Sequence, residues 1–288
     1  MDLLKGLVRA LLNLVFLVIE KLIYGLIQLI RFLPRGEQIV SGFLERNWRR
    51  TSKVKHGGVE IKFIIPNWLT KFRANSFSVK EPETLLWIEK MQPGETFWDI
   101  GANVGIYSIY AAKKQNVQVV AFEPSLLNLE ILLRNVLAND LSSKITLFPL
   151  ALSDKNAVQQ LFMSKSDFIW GGAHNSMGEN VGQDGKELLK PIISSQISIS
   201  MDSCLEVFRL EQPDYVKIDV DGLEIMVLTG GEKTFQKVKS VLIEVDQAFE
   251  GQSVNVSKFL NTLGFKQLGY LENLELRENQ IWVRNPPG

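Results

Sequence analysis

Apolar residues dominate the first 33 positions of the chain, and the polar ones among them recur at helical spacing. At about 100° per residue, most of these polar side chains fall on one narrow stripe, and the rest of the circumference is apolar. The pattern predicts an amphipathic helix over residues 1–33, ended by Pro34 and Gly36. The stripe consists of Asp2, Arg9, Asn13, Glu20 and Arg31, flanked by Lys5, Lys21 and Gln28.

The charges in this segment bear on how it could meet a membrane. Its longest charge-free runs, Ala10–Ile19 and Leu22–Ile30, are shorter than the roughly 20 residues of a membrane-spanning helix, which disfavours a simple transmembrane anchor. It also lacks the small-residue cleavage site of a secretory signal. Two alternatives stay open for residues 3–32: peripheral contact with a membrane interface, or packing against the rest of the chain or a second copy of it. We expect a cytoplasmic protein, with or without peripheral membrane contact.

From Thr96 onward, segments with strand and helix patterns alternate. Such alternation is typical of a parallel sheet wound by crossover helices. It predicts an α/β fold with a Rossmann-like sheet and helices on both faces. Strands are expected at 96–100, 117–122, 145–150, 215–220 and 240–245, and helices at 104–114, 126–138 and 224–235.

Two segments fall outside this alternation. Residues 34–57 are mixed and basic, and we interpret them as a connector to a domain over residues 58–288. Residues 151–209 form an insertion between the third and fourth strands. Within it, residues 158–163 and 196–201 have strand patterns and could pair as an antiparallel arm.

Charge and composition exclude several classes of function. Lysine plus arginine number 32, as do aspartate plus glutamate, so no net charge attracts nucleic acid or another polyanion. Cys204 is the only cysteine, and His56 and His174 are the only histidines. The sequence therefore excludes an internal disulfide framework and predicts no metal site built from cysteine or histidine.

A glycine-rich turn joins the first strand of the alternating region to the next helix. In Asp99–Gly105 the glycines permit a tight turn and a close approach of ligand, and the helix start offers unpaired N–H groups. The second strand ends in Glu123, about 20 residues on, where ribose hydroxyls would lie. Asp99 would repel a pyrophosphate, and Asn103 stands where a dinucleotide-binding turn has glycine. The pattern favours the cationic cofactor S-adenosylmethionine over a dinucleotide.

Five blocks of sequence resemble the FkbM-type methyltransferases, which are class I S-adenosylmethionine-dependent enzymes that often act on hydroxyl oxygens. The resemblance spans about residues 59–246, and residues 1–50 lie outside it. It implies a class I methyltransferase fold for the domain predicted over residues 58–288. The blocks are Lys80–Thr84, Asp99–Ser108, Phe122–Pro124, Ala151–Asp154 and Lys217–Glu224.

The resemblance also implies the residues of a cofactor site. The methionine part would be held by Asp99, Gly101, Asn103 and Gly105, and the ribose hydroxyls by Glu123. The same motifs contribute Tyr107, Ser108 and Pro124, and the adenine would lie beside Ser153 and Asp154. The family usually has Glu after Ile-Asp-Val, whereas this chain has the shorter Asp221.

Methyl transfer to an alcohol requires alignment of donor and acceptor and removal of a proton. Asp219 follows the fourth strand, at the edge where parallel sheets present reactive groups, and is the first catalytic candidate. Lys217 points to the same face and could orient Asp219, or form only a buried ion pair. His174 is the candidate histidine base, because imidazole accepts protons near neutral pH. The second-ranked carboxylates are Glu224 and Glu244.

The predicted function is O-methylation of a hydroxyl on a sugar, glycan or small metabolite. Two alternatives remain open: a nucleotide- or dinucleotide-dependent oxidoreductase, and a non-catalytic, membrane-associated binding protein on the same fold. Acceptor specificity is expected in the glycine-rich loop Ser164–Pro191 and in the N-terminal helix, where the residue pattern does not name the acceptor.

Overall fold

The chain divides into two compact units, Met1–Arg50 and Thr51–Gly288. The first unit contains helix α1 (Asp2–Arg31) and helix α2 (Gly36–Trp48). The computed structural model describes residues 2–173, 175–178, 180, 187–245, 251–271, 274–276 and 279–284.

Helix α1 is the helix that the polar stripe predicts, and it is continuous for 30 residues. Helix α2 begins at Gly36, where a Cβ atom would lie 1.7 Å from the carbonyl oxygen of Ile30, so glycine permits the tight turn between the two helices. By length and composition, Lys5–Arg31 meets the requirement for crossing a membrane, with a mean hydropathy of 2.0 and 0% of the stretch buried. The expectation against a spanning anchor stays a prediction.

The second unit begins with an antiparallel hairpin of strands β1 (Thr51–His56) and β2 (Val59–Ile64). The predicted connector over residues 34–57 therefore contains α2 and β1. The helices that follow are α3 (Trp68–Lys80), α4 (Pro82–Ile88), α5 (Ile106–Gln115), α6 (Leu126–Ala138), α7 (Met201–Phe208), α8 (Glu224–Gly230), α9 (Glu232–Phe235) and α10 (Gln252–Thr262). The strands are β3 (Thr96–Ile100), β4 (Gln118–Phe122), β5 (Ile145–Phe148), β6 (Ala151–Ser153), β7 (Ala157–Met163), β8 (Asn175–Met177), β9 (Ile192–Ser200), β10 (Tyr215–Ile218), β11 (Ser240–Glu244), β12 (Phe265–Leu268), β13 (Tyr270–Leu271), β14 (Leu274–Glu275) and β15 (Asn279–Arg284).

Seven strands of the described chain form the central sheet, in the order β12-β15-β11-β10-β3-β4-β5. Strands β11, β10, β3, β4 and β5 are parallel, and β15 is antiparallel to both of its neighbours. The five parallel strands follow the Rossmann order, in which the first strand lies beside the fourth. The predicted α/β fold is confirmed. Because β3 and β10 are neighbours, their carboxyl ends meet at one edge of the sheet.

The central sheet separates two hydrophobic clusters, because successive residues of a strand point to opposite faces. Phe97 of β3 packs in one cluster with α5 and α6, whereas Trp98 packs in the other with α7, α8 and α10. Both rings are fully buried, and burial of a side chain of this size contributes about 1.5–3 kcal/mol. The predicted placement of helices on both faces is confirmed.

The insertion folds as a second sheet, in the order β6-β9-β7-β8. Strands β7 and β9 pair antiparallel from Ala157 opposite Ser198 to Met163 opposite Ile192. This pairing confirms the predicted arm, although β9 begins at Ile192, earlier than its pattern indicates. Leu161, Met163 and Met177 form a small buried cluster on the arm.

Helix α3 is a feature that the hydrophobic pattern does not predict. Its first turn is fixed by a capping box, in which the side chain of Asn67 accepts a hydrogen bond from the backbone N–H of Thr70 at 2.8 Å. The Thr70 hydroxyl in turn accepts from the N–H of Asn67 at 3.4 Å. The capping residues therefore fix the start of α3, although polar residues interrupt its apolar pattern.

The predicted helix over residues 224–235 is divided into α8 and α9 at Gly230 and Gly231. A Cβ atom on Gly230 would lie 1.9 Å from the carbonyl oxygen of Ser153. The glycine therefore lets α8 pack directly against β6.

Candidate active site

Two glycines shape the turn between β3 and α5. Gly101 has a φ of +80°, and a Cβ atom there would lie 1.8 Å from the carbonyl oxygen of Asp219. Gly105 has a φ of +77°, and its Cβ atom would lie 1.9 Å from the Leu132 side chain. Only glycine meets both the backbone and the space requirements at these positions. The turn is thereby held against β10 on one side and α6 on the other.

Glu123 follows β4 and faces this turn. Its carboxylate accepts hydrogen bonds from the backbone N–H groups of Asn103 and Ser125, each at 2.8 Å. Burial raises the pKa of Glu123 to about 7, although these N–H groups favour the charged form. A side-chain hydrogen bond from Asn128 adds to these, and a carboxylate has about four acceptor sites, so one is left for a hydroxyl ligand.

Asp99 of β3 and two residues in the first turn of α5, Tyr107 and Ser108, flank the glycine turn. The Ser108 hydroxyl donates to the buried Asp99 carboxylate at 2.5 Å. Burial raises the pKa of Asp99, and the charge of Lys217 opposes the shift. The Lys217 ammonium lies 5.3 Å from the centre of the Tyr107 ring. These groups pack around the ends of β3 and α5 that flank the turn, and they do not line the cavity described next.

A cavity of about 330 Å³ opens above the carboxyl ends of β3, β4 and β10. Five of the predicted site residues line it, namely Gly101, Asn103, Glu123, Pro124 and Asp219. Two others, Ser153 and Asp154, lie outside the lining, where the Ser153 hydroxyl donates to Asp154 at 3.1 Å. Ala151 and Leu152 line the cavity instead. The sequence-predicted His174 lies outside the described residues.

A cluster of charged residues lies at one end of this cavity. The buried Lys217 ammonium donates to the Asp219 carboxylate at 2.6 Å. The pKa of Asp219 is lowered, because the charge of Lys217 and a hydrogen bond from Glu244 outweigh burial. The pKa of Glu244 is raised to about 9, first by the charge of Asp219 and then by burial. The two pKa shifts have opposite directions, so the pair favours a charged Asp219 and a Glu244 that keeps its proton.

Glu224 is a buried acid whose carboxylate bonds to the turn that follows β10. Its carboxylate accepts from the N–H groups of Val220 and Gly222, at 3.3 and 3.1 Å, and from the Gln252 side chain. Burial raises the pKa of Glu224 to about 7. The residue closes the turn after β10, where Asp221 has a left-handed φ of +52°.

The segment Trp170–Gly172 belongs to the loop in which the sequence predicts acceptor specificity, and side-chain amides that the sequence does not single out hold it beside the turn. The Gly172 carbonyl accepts from the side-chain amides of Asn103 and Asn128, at 2.8 and 2.9 Å. Asn128 also accepts from the N–H of Gly171 at 2.9 Å, and Arg73 donates to the Gly171 carbonyl at 2.7 Å. Asn103 therefore connects the turn between β3 and α5 to this loop. Carboxamides scattered over a turn and a helix are too common to mark such contacts in sequence.

No group of histidine, cysteine, aspartate and glutamate side chains within the described ranges could hold a metal ion.

The strand order, the glycine turn and the acid at the end of β4 define a Rossmann-like class I methyltransferase fold. The family model of the methyltransferase FkbM domain matches residues 99–271, and the chain belongs to this family. The resemblance noted in the sequence is confirmed, and the family makes the protein a methyltransferase.

Two curated relatives are methyltransferases. The chain is 24% identical over 197 residues to the hexuronic acid methyltransferase AglP of Haloferax volcanii, and the match covers 68% of this chain and 75% of that protein. It is 26% identical over 166 residues to methyltransferase sdnD of Sordaria araneosa, where the match covers 51% of this chain and 64% of the relative.

Solved structures of similar fold include methyltransferase FkbM from Methylobacillus flagellatus. It has a TM-score of 0.45 and 14% identity, covering 67% of this chain and 44% of that one. The magnesium protoporphyrin IX methyltransferase of Synechocystis, solved with bound SAM, has a TM-score of 0.42 and 12% identity, covering 76% of this chain and 85% of that one. The strand order, rather than these superpositions, defines the fold.

Proposed function

We propose that the protein is an S-adenosylmethionine-dependent methyltransferase that acts on a hydroxyl group of a sugar, in a glycan or a small metabolite. One observation carries the proposal. Gly101 and Glu123, which suit a nucleoside cofactor, line the same cavity as the paired acids Asp219 and Glu244. Cofactor binding and proton removal can therefore take place in one enclosure of about 330 Å³.

The residues of the turn fit the proposed cofactor. Glu123 is fixed by two backbone N–H groups and would receive the ribose hydroxyls. The missing Cβ of Gly101 leaves room for the carbonyl oxygen of Asp219, so the turn lies directly beside that residue. The carboxylate of Asp219 suits a nearby positive charge. S-adenosylmethionine, when bound, would supply a methyl group on a sulfonium sulfur.

Asp219 is the proposed proton acceptor. A neutral alcohol that has gained a methyl group carries a positive charge on oxygen, so a carboxylate with a lowered pKa is basic enough to take its proton. Lys217 and Glu244 each hydrogen-bond to Asp219 and fix the direction of its free lone pairs. Both are positioning residues in this scheme.

The sugar acceptor is supported by the printed name of one relative, the hexuronic acid methyltransferase of Haloferax volcanii. The in-line geometry of methyl transfer needs an acceptor held firmly beside the donor. A walled cavity with polar and apolar lining meets that need.

The proposal is tested in two stages. Calorimetric titration with S-adenosylhomocysteine and, separately, with NAD measures which cofactor the protein binds. We expect binding of the first only, weakened by Glu123→Gln. Binding of NAD alone would replace the proposal with the oxidoreductase alternative.

The second stage follows a labelled methyl group from S-adenosylmethionine to sugars and glycans by mass spectrometry. Asp219→Asn is expected to keep cofactor affinity and lose about 10²–10⁴-fold in kcat. Cofactor binding without transfer to any hydroxyl compound would leave a binding protein and contradict the enzymatic part of the proposal.

A further inference from the structure

One face of α3 forms a wall of the cavity. Counted from the first lining residue, the others follow at positions +3, +4, +7, +8 and +11, as expected for one side of a helix. Three of the six lining side chains are apolar, and two are cationic. The residues are Leu69, Phe72, Arg73, Ser76, Phe77 and Lys80.

The two cations of this face differ in their partners. The Lys80 ammonium is paired with Glu81 at 2.9 Å. Arg73 donates through Nε to the Gly171 carbonyl at 2.7 Å, which fixes the plane of the guanidinium. Within the described part of the chain, no carboxylate forms an ion pair with Arg73, and its two Nη groups make no hydrogen bond. Partial burial of a guanidinium without a counter-charge has a desolvation cost that no ion pair offsets.

Acidic side chains that line the cavity have donors of their own. Glu123 is held by backbone N–H groups, Asp219 by Lys217, and Asp167 by the Ser164 hydroxyl at 2.5 Å. Asp221 and Glu244 complete the acidic lining, and none of the five acids forms an ion pair with Arg73 in the described part of the chain.

We infer that Arg73 is a carboxylate-binding residue of the active site. The inference rests on the proposed function, which brings two sources of carboxylate to this cavity: an acidic sugar acceptor and the amino-acid part of the cofactor. A guanidinium held at Nε can direct its Nη groups to both oxygens of a carboxylate, an interaction that a neutral sugar does not offer. A carboxylate of the acceptor or of the cofactor would thus provide the counter-charge of Arg73.

Four probes separate the two sources. Methyl glucuronide and methyl glucoside differ by a carboxylate on the sugar. S-adenosylhomocysteine and methylthioadenosine differ by the amino-acid part. Dissociation constants are measured by calorimetry for the full chain, for Arg73→Gln and for Lys71→Gln, which removes the same charge from an exposed position of α3 outside the cavity lining.

We expect Arg73→Gln to weaken one carboxylate probe about 10-fold or more, and to leave its partner without the carboxylate nearly unchanged. The probe that loses affinity identifies the source. Lys71→Gln is expected to change none of the four, and Arg73→Lys to restore part of the lost affinity, because it keeps the charge without the planar fork.

Unchanged affinities in Arg73→Gln would overturn the inference. Equal losses for both members of each pair would overturn it too, because they would reflect a displaced loop at Gly171. The inference also fails if the wild-type protein binds neither carboxylate probe more tightly than the partner probe that lacks the carboxylate. Failure of both adenosine probes to bind the wild type contradicts the proposed function, whereas the sugar pair still decides the role of Arg73.

Discussion

The carbonyl oxygen of Asp219 lies 1.8 Å from the position that a Cβ atom on Gly101 would occupy. The turn between β3 and α5, which is proposed to hold the cofactor, therefore meets Asp219 through backbone contact at the ends of β3 and β10. Gly101→Ala is expected to destabilise the fold by roughly 2–3 kcal/mol, because the new methyl group clashes and the φ of +80° is left-handed. Chemical denaturation measures the loss, and titration with S-adenosylhomocysteine measures the accompanying loss of affinity.

Gly94→Ala is the matched control for this variant. Gly94 has a similar φ of +86°, but a Cβ atom there would meet nothing within 4 Å. We expect it to lose only about 1 kcal/mol, the cost of the left-handed backbone alone. Equal losses of unfolding free energy in the two variants would show that the clash with the Asp219 carbonyl does not contribute to the loss.

The acid pair predicts a pH dependence of stability. The pKa of Glu244 is raised from 4.5 to about 9, so the folded state keeps a proton that the unfolded chain releases between these values. This contribution is complete below about pH 4.5 and is lost as the pH rises through about 9. Glu244→Gln keeps a donor toward Asp219 but does not titrate.

The free energy of unfolding of the wild type, relative to Glu244→Gln, is therefore expected to fall by up to about 1.4 kcal/mol per pH unit across that window. Urea denaturation at several pH values between about 5 and 9 provides the comparison. Parallel curves for the two proteins would mean that Glu244 is already ionised beside Asp219.

Asn128 gives a prediction about the loop. Asn128→Asp keeps the oxygen that accepts from Gly171 but replaces the amide donor to Gly172 by a carboxylate oxygen. We expect KM to rise about 10-fold with a smaller change in kcat, because the wall is disturbed and the reacting groups are not. Steady-state kinetics with the acceptor and the cofactor varied in turn measure both constants.

Asn139→Asp tests whether that effect is local. Asn139 is also buried, but its side chain bonds to the backbone of Lys62, at 2.7 and 3.0 Å, and not to the loop. It is expected to lower stability without a selective rise in KM. A similar rise in both variants would make the KM change of Asn128→Asp a general consequence of instability.

The N-terminal helix carries a prediction about lipid. Leu11 and Val18 lie seven residues apart on the apolar face and are 62% and 49% exposed. If residues 3–32 contact a membrane, replacing both by glutamate should reduce flotation with phospholipid vesicles by about 10-fold or more. Asn13→Glu, on the polar stripe, should leave flotation unchanged. Absence of wild-type flotation, together with a dimer by sedimentation, would favour self-association instead.

Much of the sheet is predictable from the sequence because its strands are continuous apolar runs between turn residues. Thr96–Ile100 and Leu126–Ala138 have the predicted bounds, and the turn beginning at Asp99 is recognisable because only glycine tolerates its geometry. The arm is recognisable from its alternating pattern.

The cavity walls are less predictable. Polar residues interrupt the apolar pattern of helix α3, and its clearest signal is Asn67 followed three residues later by Thr70. The contact between Asn128 and Gly172 joins residues 44 positions apart, and no local pattern specifies which amide meets which carbonyl. The raised pKa of Glu244 depends on the approach of β11 to β10, which only the fold establishes.

Asn103 bonds to Glu123 through its backbone and to Gly172 through its side chain. A ligand that orders one of these contacts lowers the entropy cost of ordering the other. Cofactor and acceptor affinities should then be thermodynamically linked: each should strengthen the other by the same factor, whichever binds first. An enzyme built this way would hold its acceptor weakly until the methyl donor is in place.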